Sequence, residues 1–288
     1  MPTSSPATSA RSAEVNGVRL YYELHGSGEP LALVHGSWTD ATTWRLVVAG
    51  LADSFRVLVF DRRGHSRSER PDAPGGIDED GDDLAALLEA LDLAPAHVVT
   101  SSFGGNIALR LATRRLELFR SLSCHEPPLW SLLEGDAESR EILQRAAGSL
   151  EAVGRRIAEG DHEGAARQFV EELAFGPGAW ENELPPETRA VFVRNAPTFL
   201  DELQDPAQLR IDEDALSRLE IPVRLTDGSE SLAVFPRAID RLVTLIPRAS
   251  RETIKGAAHV PQLTTPEHYV EVTTRAVKQH AAEAPPRR

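Results

Sequence analysis

The chain of 288 residues carries one cysteine, Cys124, and one methionine. A single cysteine excludes an intramolecular disulfide and any cysteine-rich metal site. Cys124 stands in an apolar run, where a small core residue is expected and not a nucleophile. Lysine is nearly missing, since Lys255 and Lys278 are the only ones, so basic charge is almost all arginine. Against 31 basic residues stand 44 acidic ones, and the formal charge of −13 argues against nucleic acid or an anionic membrane surface as a partner. No apolar run approaches the roughly 20 residues of a membrane span. Residues 1–11 are rich in Ser, Thr, Ala and Pro with no hydrophobic segment behind Arg11, and read as a flexible leader and not a secretory signal. A reducing cytoplasm is the expected location. A nucleotide-binding glycine fingerprint is missing too, because Gly26-Ser27-Gly28 falls before a strand instead of between a strand and a helix. No metal site and no cofactor is expected, and the expected partner is a small-molecule substrate. A homodimer stays open.

What is present describes one large folded unit, with 41% hydrophobic and 26% charged residues. Asn16-Gly17 between two short alternating runs signals a hairpin, with a second arm from Val18 to His25. Pro30–Gly36, Phe55–Phe60, His97–Ser101, Phe119–Cys124 and Ile221–Thr226 are short apolar runs of the kind that strands buried on both faces require. A last short strand is expected over Arg251–Ile254. Helical spacing separates these runs, over Ala41–Leu51 with Asp40 as its cap, around Asp82–Leu91, over Leu232–Leu245 and over Pro266–Gln279. Such alternation implies an α/β fold whose mostly parallel sheet is covered by helices on both faces, with an antiparallel edge. From about Leu129 to Leu219 the grammar changes to helices alone, namely Ala137–Ile157, His162–Phe175 and Pro186–Leu203. The expected organisation is therefore a core of residues 12–128 and 220–282 interrupted by a helical cap, 129–219.

The stretch Val98–Leu109 carries the chemistry. An apolar run meets Ser101-Ser102, then Phe103-Gly104-Gly105, then a helical pattern. Strand, very tight turn and helix push the side chain of Ser102 out above the sheet and demand small neighbours. Serine alone is a poor nucleophile and needs a base. His259, after Lys255-Gly256-Ala257-Ala258 and before Val260-Pro261, is the best candidate; His65 and His125 are weaker ones.

The order of these signals resembles the α/β-hydrolase fold superfamily, in its capped serine hydrolase branch. The signals are a strand ending at His35-Gly36, a strand ending at Asp61-Arg62-Arg63-Gly64-His65, an elbow at Ser102, a helical insertion and a late His259. The resemblance covers about residues 12–282. It departs from the family at the elbow, where Thr100 occupies the first glycine of Gly-x-Ser-x-Gly. The resemblance implies that Ser102 attacks, that His259 shuttles the proton, and that the backbone N–H groups of Ser37 and Phe103 form the oxyanion hole. It also implies that His35 braces its own loop. Trp38 would line the substrate pocket or merely pack, and Trp130 would form the cap's entrance or pin its hinge.

The third residue, which orients the histidine, has several candidates. The family's usual Asp position after the strand that follows the cap is taken by Ser231, which is no acid. Asp227 and Glu230 stand nearby. Glu126, at the end of Phe119–Cys124 and before Pro127-Pro128, matches capped relatives such as certain haloalkane dehalogenases that place a Glu there, and is preferred. The reading is a cofactor-free serine hydrolase cleaving an ester or lactone of a small apolar substrate. Carbon–carbon bond hydrolases, thioesterases and perhydrolases use the same groups, and a non-catalytic ligand-binding member of the fold is the reading from another class. Epoxide hydrolases and haloalkane dehalogenases need Asp where Ser102 stands.

Overall fold

The structure is a computed structural model that describes residues 11–73 and 75–283. Of the leader expected over 1–11, residues 1–10 lie outside the described residues. Arg11 is not part of a leader: it opens the first strand, where the hairpin register pairs it with Tyr22.

Among the described residues eight strands form one sheet: β1 (Arg11–Val15), β2 (Val18–His25), β3 (Glu29–Val34), β4 (Phe55–Phe60), β5 (Ala96–Ser101), β6 (Phe119–His125), β7 (Val223–Gly228) and β8 (Ala249–Ile254). Their spatial order is β1-β2-β4-β3-β5-β6-β7-β8. β1 and β2 form the hairpin, which joins the sheet antiparallel through β2 and β4, and the other pairings are parallel. Asn16 and Gly17 take φ of 46° and 75°, the two left-handed positions that a two-residue hairpin turn of matching twist requires. All six residues of β5 are buried, as expected of a strand at the centre of a doubly covered sheet.

Among the described residues seven helices have eight residues or more: α1 (Ile77–Ala90), α2 (Phe103–Arg114), α3 (Arg140–Ala158), α4 (His162–Phe169), α5 (Pro186–Gln204), α6 (Val234–Leu245) and α7 (Pro266–Glu283). Apolar residues of α1, α2 and α6, among them Leu84, Leu109 and Leu242, pack on one face of the sheet in a single buried cluster. The other face is covered by Trp44, Leu51 and the α7 residues Tyr269, Val272 and Val277. The helix expected over Ala41–Leu51 is divided instead into a 3-10 turn at Ala41–Trp44 and one short helix at Val48–Ala52. Thr42, Thr43, Val47 and Val48 are β-branched and stiff at χ1, which weakens a continuous helix. Asp40 does cap the first turn, accepting from Thr42 N–H at 2.8 Å.

Between β6 and β7 the described residues form helices and no strand. α4 stops at Phe169 and passes into a wider turn, Val170–Ala174, whose end is closed by Phe175 N–H donating to Val170 O at 2.8 Å. This helical segment has its own apolar cluster, which gathers Phe169, Phe192 and Phe199 around Trp38 of the loop after β3. Among the described residues no helix is long and apolar enough to cross a membrane.

Candidate active site

β5 runs straight into α2 with only Ser102 between them, and that residue takes φ 52°, ψ −127°. Such a conformation is strained for a residue with a side chain. Close packing holds it there. A Cβ on Gly104 would lie 2.5 Å from Val34 O, and one on Gly36 would lie 2.9 Å from Ser102 Cβ, so both positions must be glycine. Thr100, at the position where a glycine was expected, is accommodated because the crowding falls on Gly105, whose own Cβ would lie 3.2 Å from Thr100 Oγ1. Ser102 N–H donates to His125 O at 2.8 Å, which ties the turn to the end of β6.

The loop between β8 and α7 brings His259 to the turn. Its Nε2 lies 3.0 Å from Ser102 Oγ, and its Nδ1 lies 2.7 Å from Glu126 Oε2. A carboxylate only accepts, so Nδ1 carries the proton and Nε2 is left free to accept from the serine hydroxyl. Glu126 itself is fully buried at the end of β6 with φ 48°. Its second oxygen, Oε1, accepts from Gly228 N–H at 2.8 Å. Burial works against this charge, but His125 and the hydrogen bond and charge of His259 outweigh it, and the carboxyl is held at about 2. Phe235 of α6 stacks on the His259 ring with centroids 4.4 Å apart and planes at 22°.

Of the three carboxylates weighed in the sequence, Glu126 alone meets His259. Asp227 is committed elsewhere, accepting from Arg251 at 3.0 and 2.8 Å and from Thr253 Oγ1 at 3.1 Å. Glu230 is exposed, and its neighbour Ser229 donates to it at 3.0 Å. Ser231, in the family's usual acid position, is no acid, and its hydroxyl lies beside Glu126, whose charge it helps to hold. Cys124 is buried and its thiol is pushed up to about 12 by burial, which suits a core residue.

Ser102 and His259 open onto a small cavity that is also lined by Ser37, Phe103, Trp130 and Phe235. Its other lining residues are apolar apart from Gln208, so among the described residues His259 is the one ionisable group on its wall. Trp130 is thus at the cavity. Trp38 is not: it is fully buried, with ring centroids 4.8 Å from Phe199 and 5.1 Å from Phe169, and packs core to insertion. His35 braces its loop, its Nδ1–H donating to Gly36 O at 2.9 Å while Nε2 accepts from Arg62 N–H at 3.0 Å. His65 is buried and engaged with Arg63 O at 2.9 Å and Thr198 Oγ1 at 3.0 Å. His125 bonds Thr226 Oγ1 at 3.0 Å and Ala258 O at 3.2 Å, so it holds the backbone beside His259 without reaching the serine. Sequence reasoning missed the stacking residue Phe235 and the Gly228 N–H. Helical periodicity marks Phe235 as core, and nothing in it points toward a histidine 24 residues later. Among the described residues no three His, Cys, Asp or Glu side chains gather as a metal site.

Sheet order, the serine turn and the histidine loop together define an α/β hydrolase. The chain belongs to the alpha/beta hydrolase family, which it matches over residues 31–272. It is 28% identical over 260 residues to a putative carbamate hydrolase, RutD, of Azorhizobium caulinodans, covering 88% of this chain and 92% of that one. It is 35% identical over 225 residues to the 2-hydroxymuconate semialdehyde hydrolase of a Pseudomonas species, covering 67% and 79%. Among solved structures, Est816, described as an N-acyl homoserine lactone degrading enzyme, superposes with a TM-score of 0.73 at 26% identity, covering 92% of this chain and 99% of that one.

Proposed function

We propose that this hydrolase is a cofactor-free serine hydrolase that cleaves an ester or lactone of a small apolar substrate through an acyl-enzyme. The observation that carries the reading is the continuous hydrogen-bonded chain from Ser102 Oγ through His259 to Glu126, at 3.0 and 2.7 Å. His259 takes the serine proton as Oγ attacks the carbonyl carbon, and Glu126 stabilises the imidazolium that forms. The Ser37 and Phe103 N–H groups hold the oxyanion. His259 then returns the proton to the leaving alcohol, and a water activated by the same imidazole releases the acid. For a lactone both products remain one hydroxy acid.

The cavity lining supports a neutral, apolar substrate, and the named relatives support a carbonyl one. Among the described residues His259 is the sole ionisable side chain on the cavity wall, so a carboxylate buried there would lack a dedicated counter-charge. The relatives named above are called a putative carbamate hydrolase, a semialdehyde hydrolase and a lactone degrading enzyme, and all three names point to carbonyl compounds that a serine nucleophile can attack. In this reading residues 129–219 act as the cap that closes the cavity, and Trp130 shapes its entrance. A panel of neutral esters and lactones with acyl chains of increasing length, run beside Ser102→Ala, tests the reaction. Hydrolysis that vanishes in the variant supports it; equal rates in both proteins, or no turnover of any neutral ester, overturns it.

A further inference from the structure

The loop Gly36–Thr39, which carries the proposed oxyanion donor of Ser37, is held from above by one face of α5. Asn195, Thr198 and Glu202 are spaced by three and four residues, so they project from the same side of that helix. Asn195 Nδ2 donates to Thr39 O at 2.9 Å and to Trp38 O at 3.3 Å. Glu202 Oε2 accepts from Ser37 Oγ at 2.5 Å, and its Oε1 accepts from Arg62 Nη2 at 2.9 Å. Arg62 closes the circuit. Its Nη1 donates to Gly36 O at 3.3 Å, and its guanidinium lies over the Phe103 ring, 5.0 Å from the centroid. A buried Asp80 accepts from its Nη2 and Nε at 2.6 and 3.1 Å. One carboxylate from the helical insertion thus connects, directly or through one arginine, to both segments that would supply oxyanion N–H groups.

We propose that Glu202 is a positioning residue, which together with Arg62 fixes the Ser37 and Phe103 N–H groups where the transition-state oxyanion develops. The proposal rests on the serine hydrolase reading above. Its physical logic is that oxyanion donors act only when they are already aimed, since reorganising them during reaction forfeits most of their effect. A serine hydroxyl held by a buried carboxylate is withheld from substrate, which leaves the N–H as the group that residue 37 would offer to the cavity it lines. The same contact makes the oxyanion loop depend on the seating of α5, so the insertion would tune the chemistry as well as the pocket.

Glu202→Ala leaves Arg62 paired with Asp80, so no buried cation is orphaned and the fold is expected to survive. On a short neutral ester, kcat should fall between about tenfold and a hundredfold, approaching the loss seen when one oxyanion donor is removed, with KM within about twofold. A trifluoromethyl ketone, which forms a tetrahedral oxyanion adduct on the serine, should bind more weakly by the same factor as kcat. A simple apolar alcohol occupying the cavity should bind as before. Ser37→Ala provides the second variant, and in the double-mutant cycle the two losses should not add, because they break one link. Unchanged kcat and ketone affinity in folded Glu202→Ala would overturn the positioning role, as would fully additive losses or equal weakening of ketone and alcohol. Wild-type turnover that survives Ser102→Ala would instead overturn the serine reading beneath it.

Discussion

Replacing Glu126 by Gln probes the site most sharply, because the structure dictates how the new side chain must sit. Glu126 Oε1 accepts from Gly228 N–H at 2.8 Å, so the amide oxygen of a glutamine must take that place. Its NH2 group then faces His259 Nδ1, which in the wild type donates to Oε2 at 2.7 Å. A donor facing a donor is unfavourable, so the imidazole shifts its proton to Nε2 and can no longer accept from Ser102 Oγ. The variant also loses the charge that stabilises the imidazolium. Loss of the same two effects in serine proteases costs about 10⁴ in kcat, which corresponds to about 5 kcal/mol of transition-state stabilisation. The expected loss here is about 10³ to 10⁴ in kcat. Steady-state hydrolysis of a neutral ester, checked by circular dichroism for an intact fold, measures it. Glu230→Gln, at an exposed position, should stay near wild-type rates. A folded Glu126→Gln enzyme within about threefold of wild type would refute the assignment of the acid.

Three further outcomes follow from the geometry. Phe235→Leu removes the ring face stacked 4.4 Å from His259, and with it about 1 kcal/mol of stabilisation of the imidazolium, so kcat should drop roughly fivefold; an unchanged kcat would contradict that role. Gly104→Ala would drive a methyl to within 2.5 Å of Val34 O, and should lower the unfolding free energy by at least about 2 kcal/mol in urea titration; a neutral effect would mean the turn relaxes freely. Burial and the Arg62 charge hold His35 down to about 4 against 6.5, and burial lowers His65 and His125 as well. The unfolded chain therefore binds more protons than the fold as pH drops from about 6.5 toward 4, so stability must fall across that window. Equal urea midpoints at pH 7.5 and 5 would be the contrary result.

Much of this was legible in the residues. Ser102 declared itself through the packed Ser-Ser-Phe-Gly-Gly turn, because only small neighbours tolerate such a crossing. The hairpin at Asn16-Gly17 and the strand Phe55–Phe60 were read to the residue, since turn chemistry and continuous apolar runs are local signals. In the sequence Glu126 is a preference among three carboxylates, resting on resemblance, because two residues 133 apart meet only through sheet order. The link between Ser37 and Glu202, 165 residues apart, carried no local signal at all. For Trp38 the sequence leaves pocket and packing both open, and only the fold decides: the ring is buried against Phe169 and Phe199.

The central claim is that Ser102 is the nucleophile, and covalent capture tests it most directly. A fluorophosphonate probe should label the folded protein once, at a peptide containing Ser102, as read by intact mass and peptide mapping. Ser102→Ala should take no label, and His259→Gln should label far more slowly. A folded wild-type protein that stays unlabelled, or a label mapped to any other residue, would contradict the account.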